Sequence, residues 1–160
     1  MKAKKIVYVP DDYNQYNVLT VPAFLIVAIF YLLKYLFLIL LPQLPIIGND
    51  LGYISQFMRV DGFLVLSSLP ALLVFVSLFK RMPETGSTIR AIWKQGKYLL
   101  FASALLDILL LISYVLLEIR EPDEVLVIVI YLDAMLAGYF LRSQRISDLF
   151  SEFPEQPSKI

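Results

Sequence analysis

Residues 23–41 of the chain read AFLIVAIFYLLKYLFLILL, and this stretch decides the fold. All nineteen residues except Lys34 are apolar or aromatic. A helix of this length rises roughly 28 Å, which is about the thickness of the hydrocarbon layer of a bilayer. A lysine near the centre of such a helix costs about 2.5 to 3.5 kcal/mol on insertion scales, so Lys34 needs a partner inside the protein.

The composition points to a membrane protein and excludes several classes of site. The 160 residues are 59% hydrophobic, include no Cys and no His, and have a net charge of zero. Disulfides, thiol nucleophiles, His-ligated haem and the usual zinc sites are excluded. No glycine-rich phosphate loop or nucleophile elbow is present. We therefore expect no enzyme activity, no catalytic residue, no metal, no cofactor and no nucleic-acid partner.

Three further apolar stretches predict membrane helices, at 63–79, 98–117 and 125–141. Pro70 predicts a kink in the second helix, where Ser67 and Ser68 would satisfy backbone groups that the proline frees. The short acidic turn between the last two helices makes them antiparallel neighbours. Ala134 and Gly138 form a pair of small residues that allows two helices to approach closely.

The expected fold class is therefore an all-α membrane protein, an antiparallel four-helix transmembrane bundle. An N-terminal segment, 1–22, precedes the transmembrane domain, 23–141, and a mobile tail, 142–160, follows it. The first helix is expected to run to Leu41 and to stop at Pro42. Residues 42–62 form a loop, which could include a short helix lying on the membrane or, alternatively, a re-entrant segment.

Basic residues set the orientation. The N-terminal segment, the connection between helices 2 and 3 and the tail together contain eleven Lys and Arg, whereas the other two loops contain two. The positive-inside rule then places both termini in the cytoplasm. A multi-pass protein of the bacterial inner membrane, with the lipid bilayer as its surroundings, is the expected localisation.

The most basic segment, 80–97, predicts a short amphipathic helix capped by Ser87 or Thr88. One side of it is apolar, and the other could bind anionic lipid or a protein partner. The simpler alternative is an ordinary basic loop. The candidate interfacial residues are Arg90, Trp93, Lys94 and Lys97, with the indole at the level of the lipid headgroups.

Two carboxylates complete a candidate site with Lys34. Asp107 and Asp133 lie near the middle of the third and fourth helices, and all three charges fall within about 5 Å of one depth at 1.5 Å per residue. We expect the three to face the bundle interior, with Lys34 paired to at least one aspartate. Neighbouring polar side chains could support the cluster: Ser103, Tyr31 and Tyr114, and less specifically Tyr35 and Tyr131.

The charge cluster allows two interpretations. Because one lysine cannot neutralise two carboxylates, one aspartate should be protonated or face water, and such a group could relay protons or ions. Alternatively, the three charges form a structural clasp that fixes the order and register of the helices. The clasp is the preferred interpretation, since three residues do not make a pathway across the membrane.

Several segments together resemble a known family. These are PDDYNQYNVLTVPAFL at 10–25, the apolar run with one basic residue, the kinked second helix, KRMP at 80–83 and WKQGKYLL at 93–100. The pattern resembles the YfeZ-like inner-membrane proteins of gammaproteobacteria, which are classed as a domain of unknown function. The resemblance covers nearly the whole chain and implies an inner-membrane location, with no established activity and no catalytic residues.

Two functions are consistent with these features. The first is a non-enzymatic accessory, assembly or scaffold subunit that docks another membrane protein or a second copy of itself. The second is an oligomeric transporter or channel for protons or a small ion, which would use Lys34, Asp107 and Asp133. The basic segment favours docking, whereas the buried charges are compatible with both.

Overall fold

A computed structural model describes residues 8–40 and 62–154 of the protein. This part of the chain contains seven α-helices, a short 3₁₀ turn at Pro10–Asp12 and no β-strand. The predicted all-α class is thus confirmed for it. The loop helix or re-entrant segment predicted within 42–62 lies almost wholly outside the described residues. The helices are α1 (Ala23–Leu32), α2 (Lys34–Leu40), α3 (Val65–Phe79), α4 (Ser87–Lys94), α5 (Gly96–Leu116), α6 (Glu124–Arg142) and α7 (Gln144–Ser151).

Two of the described helices, α5 and α6, are long and apolar enough to cross a membrane. The count rises to three if α1 and α2 form one bent span. The remaining apolar helix, α3, has 15 residues and rises about 22 Å. The helices predicted at 98–117 and 125–141 agree with α5 and α6 to within two residues at either end.

The single helix predicted for 23–41 is wrong, because the chain breaks at Leu33. The axes of α1 and α2 differ by 58°, and Lys34 is the first residue after the break. Ser68 of α3 donates a hydrogen bond of 2.8 Å to the carbonyl of Leu32. In an unbroken helix that carbonyl accepts from the amide four residues later, and a side chain that competes for it is a known cause of kinks.

Serines also tie α3 to itself and to α5. The Ser67 hydroxyl donates to the carbonyl of Leu64 at 2.8 Å, and Ser103 of α5 donates to the carbonyl of Ser67. The two serines thus donate to the carbonyls of Leu64 and Leu32, and neither donates to the carbonyl of Leu66, whose helical hydrogen bond Pro70 removes. α3 nevertheless continues through Pro70 as one helix.

The apolar helices alternate in direction. α5 packs against both α3 and α6, and α1 packs against α3. α1 and α5 begin, and α3 and α6 end, at one common end of the molecule, as shown by the contact of Phe24 with Tyr139 at 4.8 Å and by the bond of Arg81 to Leu19. The buried core between the helices is made of these residues: Leu25, Ala28, Ile29, Leu32, Ala71, Val74, Leu100, Ala104, Ala137 and Phe140.

At that common end, residues 8–22, α4, α7 and residues 152–153 fold together into what we call the terminal cap. Trp93 of α4 is fully buried there, and its indole N–H donates to the carbonyls of Leu149 at 3.2 Å and Glu152 at 3.0 Å. The expectation of a mobile tail is therefore wrong, because its described part includes a packed helix. Trp93, expected at the level of the lipid headgroups, is buried against that helix inside the cap.

Polar contacts in the terminal cap join the described parts of the N-terminal segment and of the tail, partly through Arg81, which follows α3. Arg81 donates to the carbonyls of Leu19 at 2.8 Å and Glu152 at 3.2 Å, and the Leu19 amide donates to the Glu152 carboxylate at 2.8 Å. The Tyr8 hydroxyl donates to Asp148 at 2.7 Å. Burial lowers the pKa of the Arg81 guanidinium to about 10, so it remains charged at neutral pH.

The cap also depends on one glycine. A Cβ atom on Gly96, at the start of α5, would lie 2.3 Å from the Phe150 ring, so only glycine allows α7 to pack this closely. The N-cap of α4 is Gly86 rather than the predicted Ser87 or Thr88, and no side-chain hydrogen bond caps that helix. Ser143 does cap α7, since its side chain accepts from the Ile146 amide.

Candidate functional site

The structure brings Lys34, Asp107 and Asp133 together in the apolar part of the molecule. Lys34 opens α2 directly after the break, whereas each aspartate lies near the middle of its helix, α5 or α6. The side chain of Lys34 is 11% exposed, that of Asp107 1% and that of Asp133 0%. All three therefore face the interior, as expected from the cost of exposing a charge to lipid.

Lys34 contacts both carboxylates. Its ammonium donates a hydrogen bond to Asp107 Oδ2 and lies 3.7 Å from Asp133 Oδ1, which is an ion pair without a hydrogen bond. The ammonium also lies 4.3 Å from the ring centre of Tyr31 and 4.6 Å from that of Tyr35. Two aromatic faces and two carboxylates thus surround one cation, and both kinds of contact are attractive.

The carboxylates are incompletely satisfied within the described part of the chain. Asp107 Oδ1 and both oxygens of Asp133 are buried and accept no hydrogen bond there. Buried charges are normally paired and hydrogen-bonded, because an ionised group without partners loses its hydration energy. One lysine therefore pairs with two carboxylates, and its interaction with Asp133 is the weaker of the two.

Of the residues predicted to support the charge cluster, some contact it and others bond elsewhere. Tyr31 belongs to the cluster: its ring lies beside Lys34, its hydroxyl interacts electrostatically with Asp133, and it donates to the carbonyl of Val129 at 3.4 Å. Ser103 lies one turn from Asp107 and instead bonds to α3 through the Ser67 carbonyl.

Tyr35 and Tyr114 belong to a second apolar cluster, in which Tyr35 is buried and Tyr114 is partly buried. The Tyr35 hydroxyl interacts electrostatically with Asp107, which makes Tyr35 a member of the charge cluster. Sequence reasoning gave Tyr35 no special weight, although its position next to Lys34 was a signal. Tyr131 is 63% exposed and takes no part in the cluster.

Only part of the predicted basic interface is available for binding. Arg90 donates to the carbonyls of Pro83 at 2.7 Å and Thr85 at 3.3 Å, and its guanidinium lies 5.1 Å from the Phe153 ring. Arg90 thus joins Trp93 as a structural residue of the terminal cap. Lys94 is exposed, whereas Lys97 is partly exposed, with its ammonium 6.0 Å from the centre of the Tyr98 ring.

The charge cluster does not have the ligands of a metal site. Over residues 8–40 and 62–154, no group of three or more His, Cys, Asp or Glu side chains lies close enough to hold a metal ion. The ligand set at the charge cluster is two carboxylates with a lysine between them. An ammonium in that position repels a second cation, so the cluster is arranged for internal charge pairing.

A family model described as "Protein of unknown function (DUF2919)" matches residues 61–152, which is more than half of the chain. The chain belongs to this family. The DUF2919 match includes α3 to α7, and with them both aspartates and the larger part of the terminal cap, but it begins after Lys34. No curated protein and no solved structure matches the chain.

Proposed function

We propose that the protein is a small, non-enzymatic integral membrane protein of the bacterial inner membrane, an accessory, assembly or scaffold subunit. Its transmembrane helices would be joined by a clasp of Lys34, Asp107 and Asp133. The observation that supports this proposal most strongly is the position of the Lys34 ammonium, bonded to Asp107 and 3.7 Å from Asp133. One side chain thereby links three apolar segments that are distant in sequence.

In this proposal the chain crosses the membrane four times, as a four-helix transmembrane bundle. A re-entrant loop must reverse its direction, whereas the 58° bend between α1 and α2 leaves α2 advancing along α1, which favours a broken span. α3 is short but is preceded by Phe63 and Leu64, which extend its apolar length. The alternating directions of the helices also favour four passes.

Both termini would then lie in the cytoplasm. The terminal cap joins the described parts of the N-terminal segment, the connection between α3 and α5 and the tail. In the sequence, these three segments contain eleven of the fourteen Lys and Arg. The positive-inside rule assigns such segments to the cytoplasmic side. The resemblance to YfeZ-like proteins of the inner membrane supports the same location.

An accessory role is supported by what surrounds the clasp. The cap is a folded cytoplasmic surface that a partner could recognise, and the helices expose apolar side chains over much of their length, among them Phe63, Leu73, Leu116, Val127 and Met135. A lipid-facing surface of this kind can also pack against another membrane protein or a second copy of the chain.

Co-purification tests the accessory role. The tagged protein is cross-linked in native cells, extracted in mild detergent, and compared with Lys34→Met and with Lys80→Met, a control that removes an exposed cation. We expect a membrane protein to co-purify at a fixed ratio with wild type and with Lys80→Met, and less of it with Lys34→Met. Recovery of the protein alone at every detergent strength would contradict the role.

The alternative is an oligomeric channel or transporter that moves protons or a small ion through the same charges. The specific observation in its favour is Asp133, whose two buried oxygens accept no hydrogen bond in the described part of the chain. A carboxylate in that condition could bind and release a proton. The clasp remains our first choice, because Lys34 already pairs both carboxylates.

Flux measurements separate the two functions. Liposomes containing wild type, Asp107→Asn or Asp133→Asn are tested for proton uptake under an imposed potential, with protein-free liposomes and Lys94→Met as controls. The clasp predicts no flux above that of the protein-free liposomes for any variant. A wild-type flux that Asp133→Asn abolishes, while the variant stays folded, would favour the conducting function instead.

A further inference from the structure

A shallow groove lies on the outer face of α6, close to the terminal cap. Ala134 and Gly138, one turn apart, form its floor, Met135 and Tyr139 lie beside them, and Arg142 lies at its end with Ser143. Its volume is about 480 Å³. A Cβ atom on Gly138 would meet nothing within 4 Å, so this small-residue pair does not bring α6 close to another described helix, contrary to the prediction from sequence.

The groove has a mostly apolar lining and one cationic residue, Arg142, at its end. Arg142 is exposed, is the last residue of α6, and forms no ion pair with any described residue. Tyr139 precedes it by nearly one turn, where a tyrosine ring suits the boundary between acyl chains and headgroups. An arginine at that boundary presents a planar fork of donors that matches the oxygens of a phosphate group.

A second copy of the chain is the main competitor for this groove. Copies in one membrane share their orientation, so two α6 helices crossing at Gly138 would run parallel. Each Arg142 would then lie only about 6 Å along the helix from the crossing point, beside the Arg142 of the other copy. Two like charges that close repel each other, which disfavours self-association at this face.

We propose that the groove binds one anionic phospholipid, with its phosphate on Arg142 and an acyl chain over Ala134 and Gly138. The positive charge of Arg142 complements the phosphate. Gly138 has no side chain, which leaves room for the acyl chain beside the helix. The inference rests on the proposed placement of α6 across the membrane, with Arg142 at the cytoplasmic boundary.

Native mass spectrometry tests the lipid site. The purified, delipidated protein in detergent is titrated with phosphatidylglycerol or with phosphatidylcholine, and the bound lipid is counted. We expect one phosphatidylglycerol to bind in preference to phosphatidylcholine. Arg142→Gln should weaken that binding about tenfold, since it removes a charge-assisted hydrogen bond.

Two further variants make the result specific to the groove. Gly138→Leu should displace the lipid by filling the space for its acyl chain. Lys80→Gln, which removes an exposed cation at the end of α3, should change the affinity less than twofold. Equal losses for Arg142→Gln and Lys80→Gln, no effect of Gly138→Leu, or a dimer of wild type that Gly138→Leu dissociates would each overturn the proposal.

The placement of α6 is tested separately. Because the chain has no Cys, Lys94→Cys gives a single reactive thiol on the cap. Its protection from a membrane-impermeant maleimide in intact cells, and labelling after lysis, support the cytoplasmic placement. If the thiol is labelled in intact cells, the proposed orientation fails, whatever the lipid titration shows.

Discussion

Replacing Lys34 by methionine should destabilise the protein more than any other single change in the charge cluster. Methionine keeps most of the volume but removes the cation that is bonded to Asp107 and lies 3.7 Å from Asp133. Both carboxylates are almost fully buried, so neither recovers hydration when the cation is lost. Removal of one partner from a buried ion pair costs about 3–5 kcal/mol, and we expect a loss in that range.

The two aspartates should then differ from each other. Asp107→Asn removes the carboxylate that accepts the hydrogen bond of Lys34, which predicts a loss of about 1.5–3 kcal/mol. Asp133→Asn removes a carboxylate that is 3.7 Å away and not hydrogen-bonded, and it leaves one cation facing one carboxylate. We expect Asp133→Asn to cost less than about 1 kcal/mol, because the charges of Lys34 and Asp107 then neutralise each other.

Unfolding by sodium dodecyl sulfate in mixed micelles, followed by far-UV circular dichroism, measures these differences. Lys94→Met is the matched control, since it makes the same exchange at an exposed position of the cap. The reasoning is refuted if Lys34→Met is no less stable than Lys94→Met. It is also refuted if Asp133→Asn costs as much as Asp107→Asn, because the hydrogen bond would then be irrelevant.

Three further predictions concern the packing around the site. Gly96→Ala should cost about 1–3 kcal/mol and shift tryptophan fluorescence, because its Cβ would lie 2.3 Å from the Phe150 ring; unchanged fluorescence and stability would contradict the close contact. Ser68→Ala should cost about 1–3 kcal/mol in the same unfolding assay, because the Leu32 carbonyl loses the hydrogen bond from Ser68. No loss of stability would mean that this hydrogen bond does not cause the helix break. Desolvation and a hydrogen bond to a carboxylate raise the pKa of Tyr8 to about 12. The contribution of the Tyr8 hydroxyl to stability is therefore fully present below pH 10 and is lost as the pH rises toward 12. The stability difference between wild type and Tyr8→Phe should shrink over that interval, and a constant difference would contradict the prediction.

The apolar helices and the meeting of the charges were predictable from sequence. Long apolar runs bounded by prolines, glycines and charges locate α5 and α6 to within two residues, because burial in lipid demands a minimum helix length. The depths of Lys34, Asp107 and Asp133 required only the rise per residue. The sequence could not say which aspartate takes the hydrogen bond, since that depends on helix rotations of a few degrees.

The break at Leu33 was not predictable in the same way. No proline or glycine marks it, and Leu32, Leu33 and Lys34 at the break are good helix formers. The competing donor is Ser68, which lies 36 residues further along the chain and on a different helix. A contact of this kind is tertiary, so no local pattern in residues 23–41 reports it.

The terminal cap was missed although the sequence offered a signal. Ser143 is followed by Ile146, Leu149 and Phe150, which is an N-cap before apolar residues spaced three and four apart. The prolines at 154 and 157 led to a prediction of mobility for the whole tail. The burial of Trp93 depends on the docking of that helix, so missing the helix also gave the wrong environment for the indole.

A double-mutant cycle between Lys34 and Asp107 tests the central claim most directly. The free energies of unfolding of wild type, Lys34→Met, Asp107→Asn and the double variant give the interaction between the two side chains, free of their separate effects. A buried, hydrogen-bonded clasp predicts a favourable coupling of about 2–3 kcal/mol. A coupling below about 0.5 kcal/mol would mean that the two charges do not hold the helices together, and the account would be wrong.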